Sequence, residues 1–228
     1  MNDDDVNLDR VWLGVAAEVW RRRPRPVERV AARVLHSPGL ARALVTTPSL
    51  LLGWVIATVV VVAVGLAATV TTGTAYVPLF APAVAGAGIA YAYGPGIDPA
   101  WELAESMAVS DRVVLLVRAL AVFGLNAVLG LAASAASGTA AAVTFGWLLP
   151  MAAVCALALA AATLSRSANV GVAAGLAGWT ITVLGGRAET GSLVAAVTTS
   201  SLVLPYLLFA AVCGAIAWYA TRIPRRTS

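Results

Sequence analysis

Residues that could do chemistry are few in this chain, and they do not form a site. His36 is the only histidine, and it lies in the run His36-Ser37-Pro38-Gly39, which reads as a turn. That excludes a Ser–His dyad within the apolar segments and a multi-histidine metal centre. The apolar segments hold no pair of aspartates of the kind an intramembrane aspartyl protease needs. No glycine-rich loop with P-loop spacing is present, so any ATP that drives this protein binds another chain. Cys155 and Cys213 sit inside apolar runs, where a thiol serves as a small packing residue rather than as half of a disulfide framework. The expectation is a chain with no catalytic residues, no metal and no cofactor of its own.

One polar stretch stands out instead: GPGIDPAWELAESMAVSDRVVLLVR, residues 94–118. Between Thr47 and Arg222 there are nine acidic or basic residues, and six of them are here: Asp98, Glu102, Glu105, Asp111, Arg112 and Arg118. Gly94-Pro95-Gly96 ends the apolar run before it. Asp98 followed by Pro99 fits an N-cap and a first helical position. Glu102 falls in the early turn, where the helix dipole favours negative charge. Leu103 and Met107 share a face with Ala100, while Glu102, Glu105 and Ser106 turn elsewhere. Ser110 is placed to cap the next helix, with Asp111 in its first turn. This predicts a short helix of about ten residues, too short to be stable alone and so ordered by a membrane surface or a partner. The alternative is a plain solvated loop.

The elements around this stretch are greasy. The 228 residues are 60% hydrophobic and 11% charged, against about 25% charged in a soluble domain. The fold class expected is an all-α, polytopic membrane protein. Six runs approach the roughly 20 apolar residues that a membrane helix needs: about 49–70, 75–93, 113–136, 139–164, 168–185 and 201–221. Their connections are short, because irregular backbone cannot face lipid. Asn126 is the clearest polar side chain within a span and is expected to hydrogen-bond across helices. Arg118 lies about one turn into span three, within snorkelling reach of the surface. Gly171, Gly175 and Gly178 share a face of span five and are expected to allow close packing. Pro150 and Pro205 are expected to kink spans four and six.

All fifteen basic residues are arginine. Eight precede span one, Arg112 and Arg118 border span three, Arg166 follows span four, and Arg222, Arg225 and Arg226 follow span six. With both termini cytoplasmic, only Arg187 falls outside, which satisfies the positive-inside rule and makes the 94–118 stretch cytoplasmic. The start, MNDDDVNLDR, lacks a signal-peptide pattern, so residue 1 is expected to stay on the cytoplasmic side.

Three regions are expected: a cytoplasmic interfacial segment over 1–48, a transmembrane domain over 49–221 and a basic tail over 222–228. Within the first, Leu8, Val11, Trp12, Val15 and Val19 recur at helical spacing, and RRRPRP then breaks the helix. A second amphipathic piece runs from about Val27 to Leu35. Trp12 is expected at the lipid interface, with Arg21, Arg22, Arg23 and Arg25 near anionic head groups. Docking of a soluble partner is the alternative, and no nucleic-acid partner is expected.

The run DPAWELAESMAVSDRVVLLVR resembles the coupling helix of ABC-2-type exporter permeases, which lies between spans two and three. HSPGLARALVTTPSLLL and GPGIDPAWELAES further resemble small actinobacterial membrane proteins encoded with a zinc-finger anti-sigma factor and an ABC ATPase. The likeness covers the whole layout; Ala108 stands where that pattern has a proline. The resemblance implies a plasma-membrane permease subunit, two copies of which form the membrane core. It implies a separate ATPase, in two copies, that binds ATP and magnesium and receives each coupling helix in a groove. The residues it assigns to coupling are Asp98, Pro99, Trp101, Glu102, Leu103, Glu105, Ser106, Met107, Ser110 and Arg112. The cargo implied is hydrophobic or amphipathic and otherwise unknown. The rival reading is a membrane tether that holds an anti-sigma factor through the N-terminal segment.

Overall fold

The computed structural model describes residues 10–14, 26–36, 38, 41, 48–91, 111–138, 145–192 and 203–221. The described residues are helical, with no strand among them. The chain divides into two units, Met1–Val45 and Thr46–Ser228.

In the first unit, residues 10–14 are helical and leave Val11, Trp12 and Leu13 exposed, Trp12 by 72%. Helix α1 spans Pro26–Leu35, with Glu28 in its first turn and Arg33 in its last, the polarity the helix dipole favours. It ends at His36, whose φ of 49° is left-handed, in agreement with the turn read at this position.

Among its described residues the second unit holds six apolar helices: α2 (Pro48–Thr72), α3 (Val77–Tyr91), α4 (Asp111–Ala136), α5 (Leu148–Ser165), α6 (Ala168–Thr190) and α7 (Val203–Ala220). Five of them, all but α3, are long and apolar enough to cross a membrane, an architecture compatible with a multi-pass membrane protein. Helix α3 has 15 residues, about 22 Å of rise against a hydrocarbon core of about 30 Å. It is also deeply buried, with Val77, Ala81, Ala85, Ile89 and Ala90 in the core.

Helices α3 and α5 form the centre. Helix α5 packs against α3, α6 and α7, while α3 also packs against α2, α4 and α6. Small residues bring the backbones together. A Cβ added at Gly171 would lie 2.7 Å from the Ala158 carbonyl oxygen, and one at Gly86 would lie 2.8 Å from Val154 Cγ1. Gly175 meets Ala158 and Gly178 meets Leu157, so the glycine face read in span five is a packing face against α5. The outer surface is apolar: Val60 and Val64 on α2, Ile181 and Leu184 on α6, and Leu204, Leu208 and Val212 on α7 are exposed. In α7 only Cys213 and Ala217 are buried. Both cysteines are buried and unbridged.

Several boundaries differ from the sequence reading. Helix α6 continues past 185 to Thr190, which puts Arg187 in its last turn, and Gly191 with φ 71° then stops the helix. The glycine pair Gly185-Gly186 lowers helix propensity without breaking the backbone pattern, so the helix carries on. In span four, α5 begins at Leu148, residues 145 and 146 before it are also helical, and residues 139–144 lie outside the described set. Pro150 and Pro205 are the third residues of α5 and α7. First-turn positions have no intrahelical acceptor for an N–H, so neither proline costs its described helix a backbone bond. The interior proline is Pro82 in α3, which leaves Pro78 without its usual donor.

Candidate functional site

The residues assigned to coupling largely fall outside the described set. Asp98, Pro99, Trp101, Glu102, Leu103, Glu105, Ser106, Met107 and Ser110 belong to the 92–110 connection between α3 and α4. Arg112 is the second residue of α4, and Ser110, the expected cap, lies outside the described residues. Of the interfacial residues, Trp12 is described and exposed, while Arg21, Arg22, Arg23 and Arg25 lie outside the described residues.

The structure assembles a different polar feature, one that single-residue reading missed. On α4, Arg118, Val122, Asn126, Gly130 and Ser134 recur every fourth residue, and all five are buried. A four-residue step keeps side chains on one ridge of a helix. Arg118 is only 9% exposed, so its side chain is folded among the helices rather than laid out along an open surface. Asn126 donates from Nδ2 to the Val122 carbonyl at 2.9 Å, within its own helix rather than across to another. Gly130 receives the edge of the Trp147 ring, and Trp147 is fully buried at the start of α5.

Helix α2 supplies a matching line. Trp54, Thr58, Gly65 and Thr69 fall on its inward side, with Trp54 packed on Gly88 of α3 and Gly65 beside Val77 and Phe80. At the far end, Thr69 Oγ1 donates to the Gly65 carbonyl at 2.7 Å and accepts the Tyr76 amide at 3.0 Å, closing the α2–α3 hairpin. Helices α2, α3 and α4 all pack on one another and form one three-helix seam, with the α2 line and the α4 ridge on two of its members; at Gly130 the ridge faces Trp147 of α5.

Three groups of this seam and its outer end are buried with no hydrogen-bond partner: Trp54 Nε1, Thr58 Oγ1 and Trp147 Nε1. Leaving a buried donor unmatched costs about 1–3 kcal/mol. The contrast with other threonines is informative. Thr69, Thr72, Thr163, Thr180, Thr182 and Thr190 each return the hydroxyl to a carbonyl three or four residues back. Thr58 does not, although it sits in the same kind of helix with no exposed surface. A spacing-of-four search for polar residues along each span would have found Arg118, Asn126 and Ser134. The missing partners of Thr58 and Trp54 have no sequence signal.

Among the described residues, no group of His, Cys, Asp and Glu could hold a metal ion. Comparison with known proteins finds no matching family, no matching curated protein and no matching solved structure.

Proposed function

We propose that this chain is the membrane subunit of an ABC-2-type transporter, with both termini in the cytoplasm of a plasma-membrane protein. The observation that carries the reading is where the polar motif hangs. Residues 92–110 join α3 to α4, and these two helices pack directly against each other. A push on the motif would reach two packed helices at once, one of them central to the bundle. The motif's order of acidic start, Glu102-Leu103, serines and Arg112 is the one that resembles a coupling helix.

In this reading α3 completes six crossings, its short length matched by its central, protein-surrounded position. Six crossings put fourteen of the fifteen arginines on the cytoplasmic side. Two copies of the chain form the core, and a separate ATPase pair supplies ATP binding and hydrolysis with magnesium. Each coupling helix rests in an ATPase groove through Leu103 and Met107, with Glu102 and Glu105 at the rim. The cargo is hydrophobic or amphipathic and leaves the cell.

A second reading is favoured by the separateness of unit Met1–Val45: a tether that holds an anti-sigma factor through the N-terminal segment. One experiment divides the two. The native protein is purified from its membranes with its partners, and ATPase activity is measured for the wild type, for Leu103→Ala with Met107→Ala, and for Glu105→Gln. An apolar anchor in a desolvated groove contributes more than about 1–2 kcal/mol, and a rim charge less. The double substitution should therefore lose ATPase coupling and the single one keep most of it. Wild-type coupling in the double variant, or an anti-sigma factor as the sole partner, overturns the transporter reading.

A further inference from the structure

We infer that the seam between α2, α3 and α4 is a passage that opens to take an amphipathic molecule by an anionic, acceptor-rich head group. The inference deepens the transporter reading and rests on it for the word passage; the binding chemistry is argued from the seam alone.

The seam is rich in donors. Arginine and the tryptophan indole donate only, and threonine can donate. Trp54 Nε1 and Thr58 Oγ1 are buried without a partner in the packed arrangement. Thr58 has turned its hydroxyl away from the backbone carbonyl that its counterparts use. Counted from the starts of α2 and α4, which six crossings put on one side, Thr58 lies about 15 Å in and Arg118 about 10 Å in. A guanidinium and two unmatched donors, Trp54 Nε1 and Thr58 Oγ1, thus occupy neighbouring depths of the inner half.

Apolar packing alone would not select this set. In lipid, every polar group needs a partner from within the protein, from water in a cavity or from a ligand. Ionisable groups inside spans commonly mark substrate or ion paths, while uncharged polar groups commonly bond between helices. Helix α2 is suited to move: its outward face is apolar and exposed, and it packs chiefly on α3 and α4. Its separation from α4 would leave Thr58 and Trp54 on one wall and Arg118 and Asn126 on the other. Anionic oxygens match donors and a positive charge, and the apolar outer walls suit an alkyl chain.

The test uses the full chain in membrane vesicles, with Cys155→Ala and Cys213→Ala as background, and needs no ATPase. Thr58→Cys and Asn126→Cys are labelled with a water-soluble thiol reagent, against Met151→Cys in the apolar core. Correct assembly of each variant is checked by its monodispersity and thermal transition after extraction. Cysteines buried in apolar surroundings are inert, so the seam cysteines should react at least about ten-fold faster than Met151→Cys. Dodecyl phosphate should slow that labelling; inorganic phosphate and dodecanol should not. Arg118→Gln should remove the protection and leave the labelling. Seam cysteines as inert as Met151→Cys overturn the opening. Protection by inorganic phosphate as strong as by dodecyl phosphate, by dodecanol as strongly, or by none of the three, overturns the head-group class. Because no ATPase enters, these failures are distinct from loss of coupling through Leu103 and Met107.

Discussion

Trp179 of α6 donates its indole N–H to the carbonyl oxygen of Leu79 in α3, at 2.8 Å and across 100 residues of chain. The acceptor lies one residue after the carbonyl that Pro82 leaves without its helical donor. Pro82 removes one donor from α3 and crowds the turn that contains Leu79. A ring nitrogen from the neighbouring helix reinforces that turn, where backbone bonding is weakest. Neither residue alone announces the pairing.

Trp179→Phe should therefore destabilise the bundle while keeping its shape. It deletes a single part-buried bond and leaves the carbonyl with one partner fewer, a loss of about 1–2 kcal/mol. Thermal unfolding of the detergent-extracted protein should show the fall. Exposed Trp218 replaced by Phe is the comparison and should change little.

Glycines in the α5–α6 crossing should tolerate no side chain, unlike those at the open end of α6. Gly171 has Ala158 and Ala162 within 2.7 Å of the position a Cβ would take, whereas nothing lies within 4 Å at Gly185. Gly171→Val should cost about 1–3 kcal/mol or more by overpacking. Gly185→Ala should be neutral or mildly stabilising, since alanine favours the helix by about 1 kcal/mol. Paired thermal scans check both.

The proposed topology has a direct chemical test. Single cysteines at Thr74, Ser137 and Thr190 should react with an impermeant reagent added outside intact cells, and one at Glu105 should not. Thr74 and Thr190 are exposed at helix ends. The reverse pattern would turn the 92–110 segment away from ATP and end the coupling argument.

Lipid contact at the N-terminus should depend on charge. Replacing Arg21, Arg22 and Arg23 with Gln should weaken binding of a residue 1–36 peptide to anionic vesicles, by about 1 kcal/mol per arginine. Added salt should act in the same direction. Equal binding to neutral and anionic vesicles would instead favour a protein partner for this segment, whose Trp12 and Leu13 are exposed.

Much of the architecture is legible in composition and periodicity. Long apolar runs must be helices in lipid, because no other short-range structure satisfies their backbone, and the six runs correspond to α2 through α7. The turn at His36 follows from Pro38 and Gly39 beside it. The glycine face of span five could be read as a packing face because its small residues recur at helical spacing.

What only the tertiary structure decided is who meets whom. A uniformly apolar helix carries no periodic signal for its inward side, since lipid and protein neighbours reward the same side chains. That is why the burial of α3, the central place of α5 and the nearly bare surface of α7 were not readable. It is also why the burial that Arg118 shares with Asn126 and Ser134 was not readable. Sequence fixes the order and type of polar residues along a helix; the packing angle of its neighbours decides which of them are shut away from both water and lipid.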